Sequence, residues 1–253
     1  MSDAAEHRQR PVQLVAILAG AAVMHFVPQV RDYLVMMWVA VGLGGAVFLL
    51  LMLFEDRAQL QLDPLARFHW ILLTVYLVHQ FEEHGVDLLG RAYFLMTYAR
   101  TVIGDVGAAS GFILTPLAIY RTNTLFVWLP FLAAVWGHRR FIWPGLAAAG
   151  LVLTNGILHI GIAFWREEYH PGVGSAIVLF LPVALLYFRF VRRHCGVGWQ
   201  GIAGSVLFGV AEHALLLLRI RFNLGPAMPP VVLGVIALSP LIANAFYNRL
   251  RGA

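Results

Sequence analysis

Residues 68–83 read Phe68-His69-Trp70-Ile71-Leu72-Leu73-Thr74-Val75-Tyr76-Leu77-Val78-His79-Gln80-Phe81-Glu82-Glu83, an apolar run that ends in an imidazole and two carboxylates. Taken over 68–86, the segment is long enough to cross a bilayer as a helix. Charge at its end is costly: an ionised acid near a bilayer centre costs roughly 2.5–3.5 kcal/mol, and less toward an interface. Helical geometry groups these residues. At about 100° per residue, Glu82 and Glu83 flank His79 at about −60° and +40°, so all three side chains leave one face. A metal ion is the simplest partner that offsets their burial.

The rest of the chain repeats the apolar pattern. Of 253 residues 60% are hydrophobic and only 12% charged, against about 25% charged in soluble domains. This composition specifies an integral membrane protein. Hydropathy gives eight segments long enough to span, near 11–28, 31–54, 68–86, 122–137, 143–165, 172–190, 200–220 and 229–247. The expected fold is therefore an all-α polytopic bundle, one domain over residues 1–253, with no internal repeat. Residues 87–121 are broken by Gly104, Asp105, Gly107, Gly111 and Pro116. They are expected to form a re-entrant or interfacial segment over the mouth of the bundle.

Charge and cysteine content narrow the function. The net charge is +5, carried entirely by arginine, but the arginines lie scattered between apolar segments. That distribution excludes nucleic acid as a partner. Cys195 is the sole cysteine, so disulfides, CxxC pairs and thiolate cages are excluded within one chain. Any metal must be held by imidazole and carboxylate.

Arginine placement sets the orientation. With the N-terminus inside, eleven arginines (8, 10, 57, 67, 139, 140, 189, 192, 193, 249 and 251) are cytoplasmic and seven are not. Both termini are thus expected in the cytoplasm, with the chain in a bacterial inner membrane. The first apolar segment is kept as a helix, because Asp3 and Glu6 beside Arg8 and Arg10 make a poor signal peptide.

In this topology the third, fifth and seventh spans run outward, and their polar residues reach one depth. His79, Glu82 and Glu83 lie on the third, Asn155 and His159 (i, i+4) on the fifth, and Glu212 and His213 on the seventh. His25 lies near the outer end of the first span, and Tyr169 and His170 lie in the loop after the fifth. Helix bundles that hold two irons use carboxylates with Glu-x-x-His pairs, and His79-x-x-Glu82 is that pair reversed. The expected ligands are His79, Glu82, Glu83, His159, Glu212 and His213, with Glu83 bridging. His25, Asn155, Tyr169 and His170 are candidates for further ligation or for hydrogen bonding to the ligands. The expected cofactor is a divalent metal, two irons in preference to zinc.

Each residue also has a plainer role open to it. The His79 cluster can be a protonated, hydrogen-bonded structural group, and Glu212 with His213 a polar contact between helices. His25 and His170 can be interfacial hydrogen-bonders. His84 reads equally as loop residue and as site residue, whereas His138 and His194, beside arginines, read as solvated.

The sequence at these positions resembles the HXXEE family of integral membrane proteins, whose motif His79, Glu82 and Glu83 match. Asn155-Gly156-Ile157-Leu158-His159 is similar to the family's N-x-x-x-H helix. Tyr169-His170-Pro171-Gly172 is similar to its Y-x-P-G turn, followed by an apolar helix containing Pro182. The resemblance covers roughly residues 68–192 and implies a membrane fold. Because the family is essentially uncharacterised, it implies no particular reaction.

The favoured expectation is a membrane-embedded non-haem metalloenzyme in which two irons activate oxygen to oxidise a lipid or other apolar substrate, with an electron-donor protein as partner. A single-zinc intramembrane hydrolase, with Glu83 as base, is the first alternative. A proton or cation transporter is disfavoured, because the polar groups lie at one depth rather than along a path. A non-catalytic membrane subunit is the remaining one.

Overall fold

Asp63 and Pro64 open the helix around which the molecule is built. In the computed structural model, which describes residues 15–16, 18–55, 63–92, 115–137 and 142–221, Asp63 Oδ1 accepts the backbone N–H groups of Leu65 and Ala66 at 2.9 and 3.1 Å. Pro64 takes the first helical position, where a missing N–H costs nothing. This helix, α2 (Pro64–His84), ends where the Gly85 N–H donates to Phe81 O at 2.9 Å. Before it comes α1 (Pro28–Glu55), itself preceded by a helical stretch at 18–26. Next is α3, which starts as Pro116–Arg121, passes through a π-helical stretch Thr122–Val127 and continues as Trp128–Gly137. The remaining helices are α4 (Ile142–Arg166), α5 (Val173–His194, with a π-helical stretch Ala176–Phe180) and α6 (Trp199–Arg221).

Cross-helix contacts give the helix directions. Phe68 and His69 meet Phe190 and Tyr187 at one end of α2, while Tyr76 and His79 meet Phe180 further along. Helices α2 and α5 are therefore antiparallel. Tyr76 packs on Phe131, and Gln80 bonds both Trp128 and Asn123, so α3 also opposes α2. A Cβ at Gly145 would overlap His69 and Tyr187, whereas His159 reaches Glu83, so α4 runs with α2. Ser205 bonds Leu146 O and His213 meets Thr154, so α6 runs with α4. The C-terminal ends of α2 and α4 thus meet the N-terminal end of α5 at one end of the bundle.

Burial follows the composition. Leu72, Phe131, Val152, Phe180 and Tyr187 are sealed in the shared core. Large apolar side chains such as Phe48, Phe164, Val178 and Leu207 face outward, as they must where lipid replaces water. Four described helices are long and apolar enough to cross a membrane: Pro28–Phe54, Ile142–Arg166, Val173–His194 and Trp199–Leu218. Helix α2, with Arg67, Glu82 and Glu83, is not among them. It lies at the centre of the bundle, with thirteen of its 21 residues buried.

One expectation shifts. The span expected from 122 begins six residues earlier, because Thr115 caps Pro116 as a helix start: its Oγ1 accepts the Ala118 N–H at 3.1 Å. Most of the expected re-entrant segment (93–114) and the expected span 229–247 lie outside the described residues.

Small residues let α4 and α6 approach closely. A Cβ on Gly150 would overlap the carbonyl oxygen of Ser205, and one on Gly209 would overlap Thr154 Oγ1 and Gly150 O. Close approach through small residues is a usual means of helix association in lipid. Gly150→Leu is accordingly expected to lower stability by about 1–3 kcal/mol or more, read as a drop in melting temperature in detergent. Gly161→Ala, where a Cβ meets nothing within 4 Å, should leave it within about 0.5 kcal/mol. Equal effects of the two substitutions would contradict this packing.

Candidate metal centre

Glu82 and Glu83 leave the same face of α2 but find different surroundings. Glu82 reaches the start of α5, where the first-turn N–H groups of any helix lack internal partners. It accepts the N–H of Gly174 at 3.1 Å and of Ser175 at 2.7 Å. The Ser175 hydroxyl donates to it at 2.5 Å and the Tyr169 hydroxyl at 2.8 Å. Four donors thus surround a carboxylate placed where the helix dipole favours negative charge. Glu82 stands outside the group of converging ligand atoms, because its oxygens are already taken.

These bonds fix the proton on His79. The single Ser175 hydroxyl proton lies toward Glu82, so the His79 Nδ1 at 2.8 Å from Ser175 Oγ must be the donor of that pair. The other ring nitrogen, Nε2, then carries a lone pair. It is buried, has no hydrogen-bond partner among the described residues and faces Glu83 Oε2 at 3.6 Å.

His159 repeats the arrangement from α4. Its Nδ1 lies 2.8 Å from Pro171 O, which can only accept, so Nδ1 bears the proton. His170 Nδ1 lies 2.9 Å from the same nitrogen. Burial, and after it the neighbouring His159, pushes the His170 pKa down to about 4, so this ring is neutral and able to accept. The Nε2 of His159 is left with its lone pair, 3.5 Å from Glu83 Oε1.

Two lone pairs and a carboxylate therefore converge with no hydrogen to place between them. One atom each from His79, Glu83 and His159 lies within 4.8 Å of the others. Ligands about 2.0–2.2 Å from one ion stand roughly 3–4.4 Å apart, and the spacings of His79 and His159 to Glu83, 3.6 and 3.5 Å, fall within that range. The second nitrogen of each imidazole is anchored, by Ser175 and by Pro171, as is usual for ligating histidines. This cluster could hold a metal ion.

The other expected residues lie apart from that group. His213 is turned into the α4–α6 contact: its Nδ1 donates to Gly209 O at 2.7 Å, and Asn155 Nδ2 donates to its Nε2 at 3.3 Å. Glu212 is 2% exposed, and neither of its oxygens has a partner among the described residues. His25 sits against α3, with its ring 5.1 Å from Tyr120 and Nε2 3.3 Å from Thr124 Oγ1. Tyr169 ties the two loops over the site, accepting the Leu88 N–H at 3.1 Å while donating to Glu82. Burial holds the Tyr169 phenol well above its ordinary pKa, as suits a permanent donor.

Sequence reasoning missed Ser175, which links Glu82 to His79, because no spacing marks a serine ninety-six residues from its partner. It left His84 undecided. That ring is buried at the end of α2, with Nε2 3.2 Å from Glu83 Oε2.

Comparison with curated proteins and with solved structures returned no match. Residues 70–187, the segment that holds His79, Glu83 and His159, match the family model described as protein of unknown function with HXXEE motif.

Proposed function

We propose that the chain is a membrane-embedded metalloenzyme in which His79, Glu83 and His159 hold a single divalent ion and the substrate is a lipid or other apolar molecule. The observation that carries this is the convergence of the His79 and His159 lone pairs on the Glu83 carboxylate. One ion is favoured over the two irons expected from sequence, since Glu82 is consumed by hydrogen bonds and His213 by Asn155 and Gly209. Two imidazoles and one carboxylate are the donor set of non-haem iron oxygenases. We favour iron, which when bound would activate oxygen for oxidation of the substrate with electrons from a partner protein. The chain's own residues orient and shield: Ser175 and Pro171 set the tautomers, and Tyr169 closes the loops overhead.

A single-zinc hydrolase is the second possibility, since catalytic zinc uses the same His2Glu set with an open position and water is its only co-reactant. The proposal includes eight spans with both termini cytoplasmic, supported by the arginine distribution and by the alternating directions of α2 to α6.

Elemental analysis of protein purified without chelator tests the proposal. About one iron per chain is expected. One zinc would favour the hydrolase, and no metal at all would refute both.

A further inference from the structure

The C-terminal end of α5, remote from the metal centre, carries three arginines in an exposed row. Leu185, Leu186, Arg189, Arg192 and Arg193 recur at three- and four-residue intervals, so they share one face of the helix. All five are exposed. The two leucines, 58% and 55% exposed, belong to the outward surface of a helix long and apolar enough to cross a membrane. Arg193 lies about 10 Å beyond Leu186 along the axis. The row thus passes from hydrocarbon to headgroup depth within one span.

Three other arginines have carboxylate partners: Arg31, Arg91 and Arg166 pair with Asp32, Asp87 and Glu168 at 2.8, 2.8 and 3.2 Å. Among the described residues no carboxylate pairs with Arg189, Arg192 or Arg193. Arg192 instead lies over the Trp199 indole, 3.7 Å from its centroid, and that ring is itself 67% exposed. Stacking of this kind holds a guanidinium in place and leaves its N–H edge open to an acceptor. Exposed tryptophan is characteristic of the membrane interface.

We propose that Arg189, Arg192, Arg193 and Trp199 form a site for an anionic phospholipid. Its acyl chains lie along Leu185 and Leu186, and its phosphate accepts hydrogen bonds from the guanidinium groups. Charge complementarity selects this occupant. Guanidinium forks match phosphate oxygens, and arginines without carboxylates at this depth call for an anion that is itself anchored in the membrane. A zwitterionic lipid offers the same phosphate but brings its own cation. The helix dipole accounts for cations in a last turn, not for a row that begins one turn earlier at Arg189. The site does not depend on the metal centre.

Brominated lipids test it, because bromine on an acyl chain quenches only nearby indoles. The full chain and Trp199→Phe, which isolates the Trp199 emission by difference, are placed in phosphatidylcholine vesicles with increasing brominated phosphatidylglycerol. Quenching of Trp199 should show a preference of at least about fivefold for phosphatidylglycerol over phosphatidylcholine, the factor that one arginine near the surface provides. The preference should vanish in the triple variant Arg189→Gln, Arg192→Gln, Arg193→Gln and persist in Arg166→Gln, at the other end of the bundle. The wild-type value stands whether or not the triple variant folds. Equal affinity for the two lipids in the wild type, or a preference kept in the triple variant, would overturn the site. Loss of the preference on adding inorganic phosphate would overturn the lipid as its occupant.

Discussion

Glu82→Gln is expected to lower the melting temperature by on the order of 10 °C, while Glu83→Gln is expected to abolish metal binding and leave the ion-free fold at least as stable as the wild type. The difference arises from the partners of each carboxylate. Glu82 accepts four hydrogen bonds at the start of α5, and a glutamine there would turn an NH2 group against N–H and O–H donors. Removing one side of a buried, hydrogen-bonded charge costs roughly 3–5 kcal/mol. Because Glu82 orients Ser175 and Ser175 orients His79, the variant should also bind metal about 10–100-fold more weakly. Glu83, in contrast, faces lone pairs on His79 and His159. Without an ion these acceptors repel one another, and a glutamine amide can donate to either. Melting curves and Co(II) titrations of both variants check this. A Glu82→Gln protein that melts like the wild type but binds no metal would reverse the assignment.

Gly172→Ala should damage the site from the outside. Gly172 has φ +90°, a conformation that L side chains rarely adopt, and a Cβ there would lie 2.7 Å from His79 Cε1 and 2.8 Å from His159 Cε1. The backbone cost is about 1–2 kcal/mol, and both rings must also move. Metal affinity is expected to fall roughly 100-fold, as when ligand support is lost. Gly196→Ala provides the control: its φ is +68° but a Cβ meets nothing within 4 Å. It should show only the backbone part of that loss of stability, about 1–2 kcal/mol, with no change in metal affinity. Metal binding unaltered in Gly172→Ala would mean that the two rings do not need their present positions.

Much of this was legible in the sequence, for physical reasons. The apolar run before His79 specified a helix. The helical period put His79 and Glu83 on one face and Asn155 and His159 on another. The alternation of directions brought the α2 and α4 ends together. What the period could not separate is Glu82 from Glu83, since both flank His79 and only the start of α5 distinguishes them. Nor could it give the register of α6 on α4. Ser205, Gly209 and Glu212 form the buried stripe of α6, which leaves His213 beside Asn155. The early start of α3 turned on Thr115 and Pro116, which the Gly and Asp breaks upstream obscured.

The most direct measurement is a Co(II) titration of the chelator-stripped full chain against the same titration of Glu83→Gln. One tightly bound cobalt per wild-type chain is expected, with none in the folded variant. No binding by the wild type, or undiminished binding by Glu83→Gln, would contradict a metal centre built on His79, Glu83 and His159.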